Sequence, residues 1–164
     1  MAGLLDYAGL VLLLAIFMTA HAVAVGGVLN TRTRRIAAVL ERQPRRAAWV
    51  GALNLGFGVA ISLPFFALQG ATGGDFWALP GLLVLAAVIV LVSIGFAGLS
   101  LWVGARLVPE GSSLRQRIIG ALALVTGAGL PVAGTVFILP LTLFLSLGAL
   151  LLSFLMKPFE AESA

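Results

Sequence analysis

The stretch Thr31 to Arg46 reads TRTRRIAAVLERQPRR and holds six of the ten basic residues of a 164-residue chain: Arg32, Arg34, Arg35, Arg42, Arg45 and Arg46. Apolar runs lie on both sides of it. An arginine near the centre of a hydrocarbon layer costs about 2.5–3.5 kcal/mol, so a block of six belongs outside one. The block therefore separates two membrane spans and holds their shared end at the cytoplasmic face. Within it Ile36, Val39, Leu40 and Gln43 recur at helical spacing. Two readings fit. One is a short helix at headgroup level that buries Ile36, Val39 and Leu40 and offers its guanidinium groups to lipid phosphates. The other is a solvated continuation of the preceding helix, ended near Pro44.

The composition agrees with a multi-pass membrane protein. Residues of the AVILMFWYC set make up 61% of the chain and charged residues 10%, against about 25% charged in soluble domains. A net charge of +4 would suggest nucleic acid in a soluble protein. Here the bases are confined to segment ends, so orientation in the bilayer explains them and no nucleic-acid partner is expected. The chain has no cysteine, which excludes disulfides, thiolate nucleophiles, iron–sulfur clusters and Cys-ligated zinc.

The first apolar run, Leu4 to Leu29, is long enough to cross a ~30 Å core with some tilt. Ala20-His21-Ala22 also looks like a signal-peptide cleavage site. The N-terminal region MAGLLD holds an acid and no base, and arginines follow the run, which favours a retained span. The second run, Ala47 to Gln69, carries Ala52, Gly56 and Ala60 at four-residue intervals, a ridge suited to close helix approach, and Pro64 to kink it. Asp75, Phe76 and Trp77 then suit an outer interface. Pro80 opens a third run that lasts to about Val108 and bears the small pairs Ser93/Ala97 and Ser100/Gly104. The final run, Ile118 to Met156, has 39 residues and would be ~58 Å long as one helix. It must fold back, and GAGLPVAGT, Gly127 to Thr135, is the expected reversal. Its first limb rises only ~20 Å, and Ala149 on the second limb is expected on a lipid-facing side. The order of base, limb, Leu-Pro turn and limb from Arg46 to Arg106 returns from Arg117 to Lys157, a weak internal repeat.

The expected fold is an all-α, polytopic helical bundle with five transmembrane segments, or four plus a re-entrant hairpin. An outside N-terminus and inside C-terminus put all ten bases on the cytoplasmic side and leave Asp6 and Asp75 outside. The chain reads as one transmembrane domain, residues 1–157, with a short cytoplasmic tail at 158–164, in the inner (cytoplasmic) membrane.

The segments RRIAAVLERQPRRAAWVGAL, LWVGARLV and IIGALALVTGAGLPVAGTVFILPLTLFLSLGALLL together resemble the membrane portion of bacterial and archaeal polymer-forming proteins, whose spans accompany a bactofilin-like β-helical domain. Arg34, Arg35, Arg42, Pro44, Pro131, Val132, Gly134 and the run Leu147, Gly148, Ala149, Leu150, Leu151 stand at matching places. The likeness covers about residues 28–156. No β-helical domain precedes the first span here. The resemblance therefore implies a membrane module that meets such a polymer through a separate chain, not polymer formation itself.

His21 is the one histidine and falls inside the first span. Imidazole is a common haem and metal ligand, which makes His21 the candidate cofactor contact. The leading reading is a neutral histidine bonded to a neighbouring helix through Thr19 or Asn54, and proton handling is a third. Asn54 itself reads as helix–helix glue, and Ser62, Ser93, Ser100, Thr126, Thr142 and Ser146 can bond their own helix backbones. No acid or base lies deep in a span, and no paired carboxylates, HExxH, nucleophile elbow or phosphate-cradling loop is present. The leading expectation is a non-enzymatic membrane scaffold or anchor with no cofactor. Arg32, Arg34, Arg35, Arg42, Arg45 and Arg46 would meet anionic headgroups, or a membrane or polymer-forming partner, and a homo-oligomer is compatible. The second expectation is a small subunit of a transport or electron-transfer complex that binds lipid, quinone or haem near His21.

Overall fold

Hydrocarbon leaves backbone groups no partner but each other, and the chain answers with helix nearly throughout. The computed structural model describes residues 2–155, with side chains from residue 7 onward. The helices are α1 (Ala2–Val28), α2 (Asn30–Arg42), α3 (Pro44–Thr72), α4 (Ala78–Leu107), α5 (Ser113–Ala128) and α6 (Leu139–Leu155). A 3-10 turn, Asp75–Trp77, leads into α4 and a π-helical turn, Gly134–Ile138, leads into α6. No strand occurs among the described residues. Met156, Lys157 and the expected tail lie outside them, as does the Asp6 side chain.

Four helices are long and apolar enough to cross a membrane: α1, α3, α4, and α6 taken with its π turn. The fifth apolar segment, α5, has 16 residues and rises ~24 Å. Large side chains cover the outside, among them Trp49, Phe57, Leu83 and Phe137, while glycine, alanine and serine fill many of the contacts within. That distribution suits a lipid solvent, in which association relies on close backbone approach.

Glycine sets the crossings. A methyl group at Gly51 would overlap the carbonyl oxygen of Phe144, and one at Gly148 that of Ala47, so α3 and α6 touch backbone to backbone. Gly104 and Gly120 bring α4 and α5 together in the same way, against Gln116 and Ser100, and Gly95 brings α4 against Ser146 of α6. Ala97, Ser100 and Gly104 are buried as their spacing predicts. The predicted ridge on α3 is not the contact face. Gly56 has nothing within 4 Å of a Cβ position, Gly56 and Ala60 are exposed, and Ala47, Gly51, Gly58 and Ser62 are buried instead. Ala149 also departs from expectation. It is 0% exposed and sits in the core with Leu99 and Leu150, because α6 lies between α3 and α4 with both touching it.

The final apolar run reverses where its glycines and Pro131 predict. Gly134 packs so closely on the end of α5 that a methyl there would overlap the carbonyl oxygens of Gly127 and Ala128. Pro140 has no N–H to offer one turn back, and the preceding turn widens, with the Leu139 N–H donating to the Gly134 carbonyl. Continuing the antiparallel register of Gly104 and Gly120 along α5 brings Ala128 level with Val92, halfway along α4. The two apolar hairpins are thus unequal, with helices of 29 and 30 residues in the first and 16 and 17 in the second.

Candidate functional site at the basic end of the bundle

The basic end is built on α2. The helix α1 stops at Val28, Leu29 takes φ −106° and ψ 39°, and Asn30 begins α2. At the far end Gln43 takes φ −140° and ψ 55°, because the ring of Pro44 disfavours helical geometry in the residue before it. Pro44 then occupies the first turn of α3.

Thr33, Ile36 and Leu40 are 0% exposed and Val39 is 4%. Ile36, Val39 and Leu40 pack with Leu99, Ala149, Leu150 and Leu152. Gly98 of α4 makes the room, since a Cβ there would strike Ile36. The segment is a short amphipathic helix of its own rather than a continuation of α1, and its apolar face is buried in protein rather than in lipid.

The other face carries the charge. Arg34, Arg35 and Arg42 are exposed, and so are Arg45 and Arg46 in the first turn of α3. Arg34 Nε donates to Asn30 Oδ1 at 3.3 Å and Arg46 to Gln43 Oε1 at 3.3 Å. Arg32 is half-buried, with its guanidinium 4.0 Å from the centre of the Phe154 ring on α6, a cation–π contact that ties the two helices.

Glu41 closes the other side. It accepts from Trp102 Nε1 at 2.7 Å and from Arg106 at 3.1 Å, both on α4. The Arg106 guanidinium also lies 3.9 Å from the Trp102 ring centre. The bond from Arg106, followed by that from Trp102, holds the Glu41 carboxyl below its ordinary pKa. These residues, with Arg34 and Gln116, line an open groove of about 740 Å³ between α2, α4 and the start of α5. The Trp102 indole N–H and the Arg106 guanidinium on its wall are both engaged by the Glu41 carboxylate.

Arg117, on the first turns of α5, is a site residue that the sequence reading did not single out. It is 5% exposed. Its Nη2 donates to Asn30 Oδ1 at 2.8 Å and Thr33 Oγ1 at 3.0 Å, while its Nε has no partner. Gly26 of α1 admits it, since a Cβ there would lie 2.8 Å from the guanidinium. Among the described residues it pairs with no carboxylate. A signal was present in its position: Arg117, Gly120 and Ala121 share one face of α5 and all three are buried.

His21 lies partly buried on α1 with Nε2 unpartnered, and Thr19 Oγ1 is likewise unpartnered. The expected bond to a neighbouring helix through Thr19 or Asn54 is not made. Asn54 is exposed and donates to the Val50 carbonyl of its own helix at 2.8 Å, so it is not interhelical glue. Its amide N–H is satisfied within its own helix. Ser62, Ser100 and Thr126 bond their own helices as expected, whereas Ser146 Oγ is buried without a partner. Among the described residues no three of His, Cys, Asp or Glu come together as metal ligands would.

No family model, curated protein or solved structure matches this chain.

Proposed function

We propose that the protein is an integral membrane scaffold or anchor without enzymatic activity. The observation that carries this reading is the two-sidedness of α2. Its apolar face is packed into the bundle core, and Arg34, Arg35 and Arg42, with Arg45 and Arg46 beside them, are exposed. An array of guanidiniums recruits an anionic surface at about 1 kcal/mol per base. Anionic headgroups are one such surface; a membrane or polymer-forming protein, including a bactofilin-like polymer on a separate chain, is another. In this reading the protein is a multi-pass component of the inner (cytoplasmic) membrane, N-terminus outside and C-terminus inside, and self-association into a homo-oligomer is compatible with it. The end of α5 halfway along α4 supports four spans plus a re-entrant hairpin over five full spans.

Changing Arg34, Arg35, Arg45 and Arg46 together to Gln is expected to strip anionic phospholipid from the purified protein, read by native mass spectrometry. The melting temperature in detergent should hold, since all four side chains are exposed. Retention of anionic lipid equal to the parent would count against the proposal.

Orientation is tested by labelling. The chain contains no cysteine, so single cysteines report cleanly. Gly73 is unsuitable because it sits at φ 66°, where side chains are strained; Ala71 and Glu110 are exposed. Ala71→Cys should react with an impermeant maleimide from outside and Glu110→Cys should not. The reverse pattern would invert the topology.

The second reading, a small subunit of a transport or electron-transfer complex, has the buried and unpartnered Nε2 of His21 in its favour. An intense Soret band in the purified protein that is lost in His21→Ala would favour it over the scaffold.

A further inference from the structure

A second cavity lies away from the basic end, among α1, α4, α5 and α6. It has a volume of about 330 Å³ and an almost wholly apolar wall. That is about twice the size of a cavity that takes up benzene, and within the range of small-molecule sites. One face of α1 runs its whole length, from Tyr7 through Val11 and Leu14 to Met18, about 16 Å by helical rise. An elongated apolar slot of that length suits a single extended polymethylene or prenyl chain.

The position selects the same chemistry. Leu14 and Leu139 on the rim are exposed, so the cavity opens sideways between α1 and α6. In a bilayer the surrounding medium there is hydrocarbon. Water is a poor occupant, because it needs two to four polar partners. The hydroxyls in the wall are those of Ser93, Thr142 and Tyr7, and the last already donates to the Gly129 carbonyl. An empty cleft would forfeit dispersion contacts on every wall.

We infer that this crevice is a binding site for one hydrocarbon tail of a membrane lipid, held along α1 with its headgroup toward the Tyr7 end. The site is separate from the arginine array and stands or falls independently of the scaffold reading.

The test reconstitutes the full chain in phosphatidylcholine vesicles doped with a phospholipid bearing a mid-chain diazirine, then maps photolabel by mass spectrometry. A parallel arm uses a diazirine-bearing prenyl alcohol. Label on the Leu10–Met18 and Leu139–Leu143 segments should exceed that around Phe57, which faces outward and samples bulk lipid. Leu14→Trp, which narrows the crevice from its rim, should reduce the excess several-fold. Leu12→Trp, on the outward side of the same helix, should leave it unchanged. Val125→Phe, on the opposite wall, gives a second variant should Leu14→Trp fail to fold. Preference for the acyl or the prenyl probe identifies the source of the tail, and either supports the site. Labelling no greater than around Phe57, or an excess that the filling variants leave intact, would overturn it.

Discussion

Gly51→Ala is expected to destabilise the protein by about 3 kcal/mol or more, at or beyond the upper end of overpacking costs, while Gly56→Ala, five residues on, raises stability by about 0.5–1 kcal/mol. The two substitutions add the same methyl group to the same helix. At Gly56 it meets nothing within 4 Å, and alanine's better helix propensity is the whole effect. At Gly51 it overlaps the Phe144 carbonyl, and neither backbone can yield without lifting α6 from α3. Gly148→Ala, on the facing helix, should behave like Gly51→Ala, because its methyl meets the Ala47 carbonyl. Thermal unfolding in a mild detergent reads the difference as a fall of several degrees against a small rise. Equal melting temperatures for Gly51→Ala and Gly56→Ala would mean that α3 and α6 are not in backbone contact.

Arg117 gives an expectation of unusual sign. Arg117→Met should leave the melting temperature unchanged or raise it, by up to about 4 kcal/mol of stability, whereas Arg117→Ala should be about 2–5 kcal/mol less stable than the methionine variant. The guanidinium is buried and unopposed by any described carboxylate, and Arg34 is a like charge near enough to act on it. A methionine fills much of the same space without the charge. The groups it abandons are not stranded: Asn30 is exposed and also receives Arg34, and Thr33 Oγ1 still donates to the Asn30 carbonyl at 2.9 Å. Alanine, by contrast, opens a void against α1. If the Met variant is instead as damaged as the Ala variant, the charge itself holds the corner between α1 and α2.

How much of this was legible depended on contrast. The apolar runs, the position of the arginine block and the reversal between Gly127 and Thr135 could be read because each is a local matter: a guanidinium in hydrocarbon costs about 2.5–3.5 kcal/mol, and glycines clustered around a proline disfavour continuous helix. The inward face of α2 was legible for the same reason, since Ile36, Val39 and Leu40 stand out among arginines. The inward face of α3 was not. Its residues are apolar all round, and Ala52, Gly56 and Ala60 offer as good a ridge as Ala47, Gly51 and Gly58. The carbonyls of α6 decided between them, and no residue of α3 carries that information. Ala149 was misplaced for the same reason.

The sequence by itself determined that the chain is helical, where its apolar runs lie, that the last of them folds back and where the bases cluster. The tertiary structure alone decided that Arg117 goes inside, that His21 and Asn54 do not meet, and that α1, α4, α5 and α6 leave a chain-wide crevice between them. Those outcomes rest on the register of one backbone against another. In a lipid-like solvent that register is set by where two small residues coincide across a contact, which is a property of pairs of helices and not of either one.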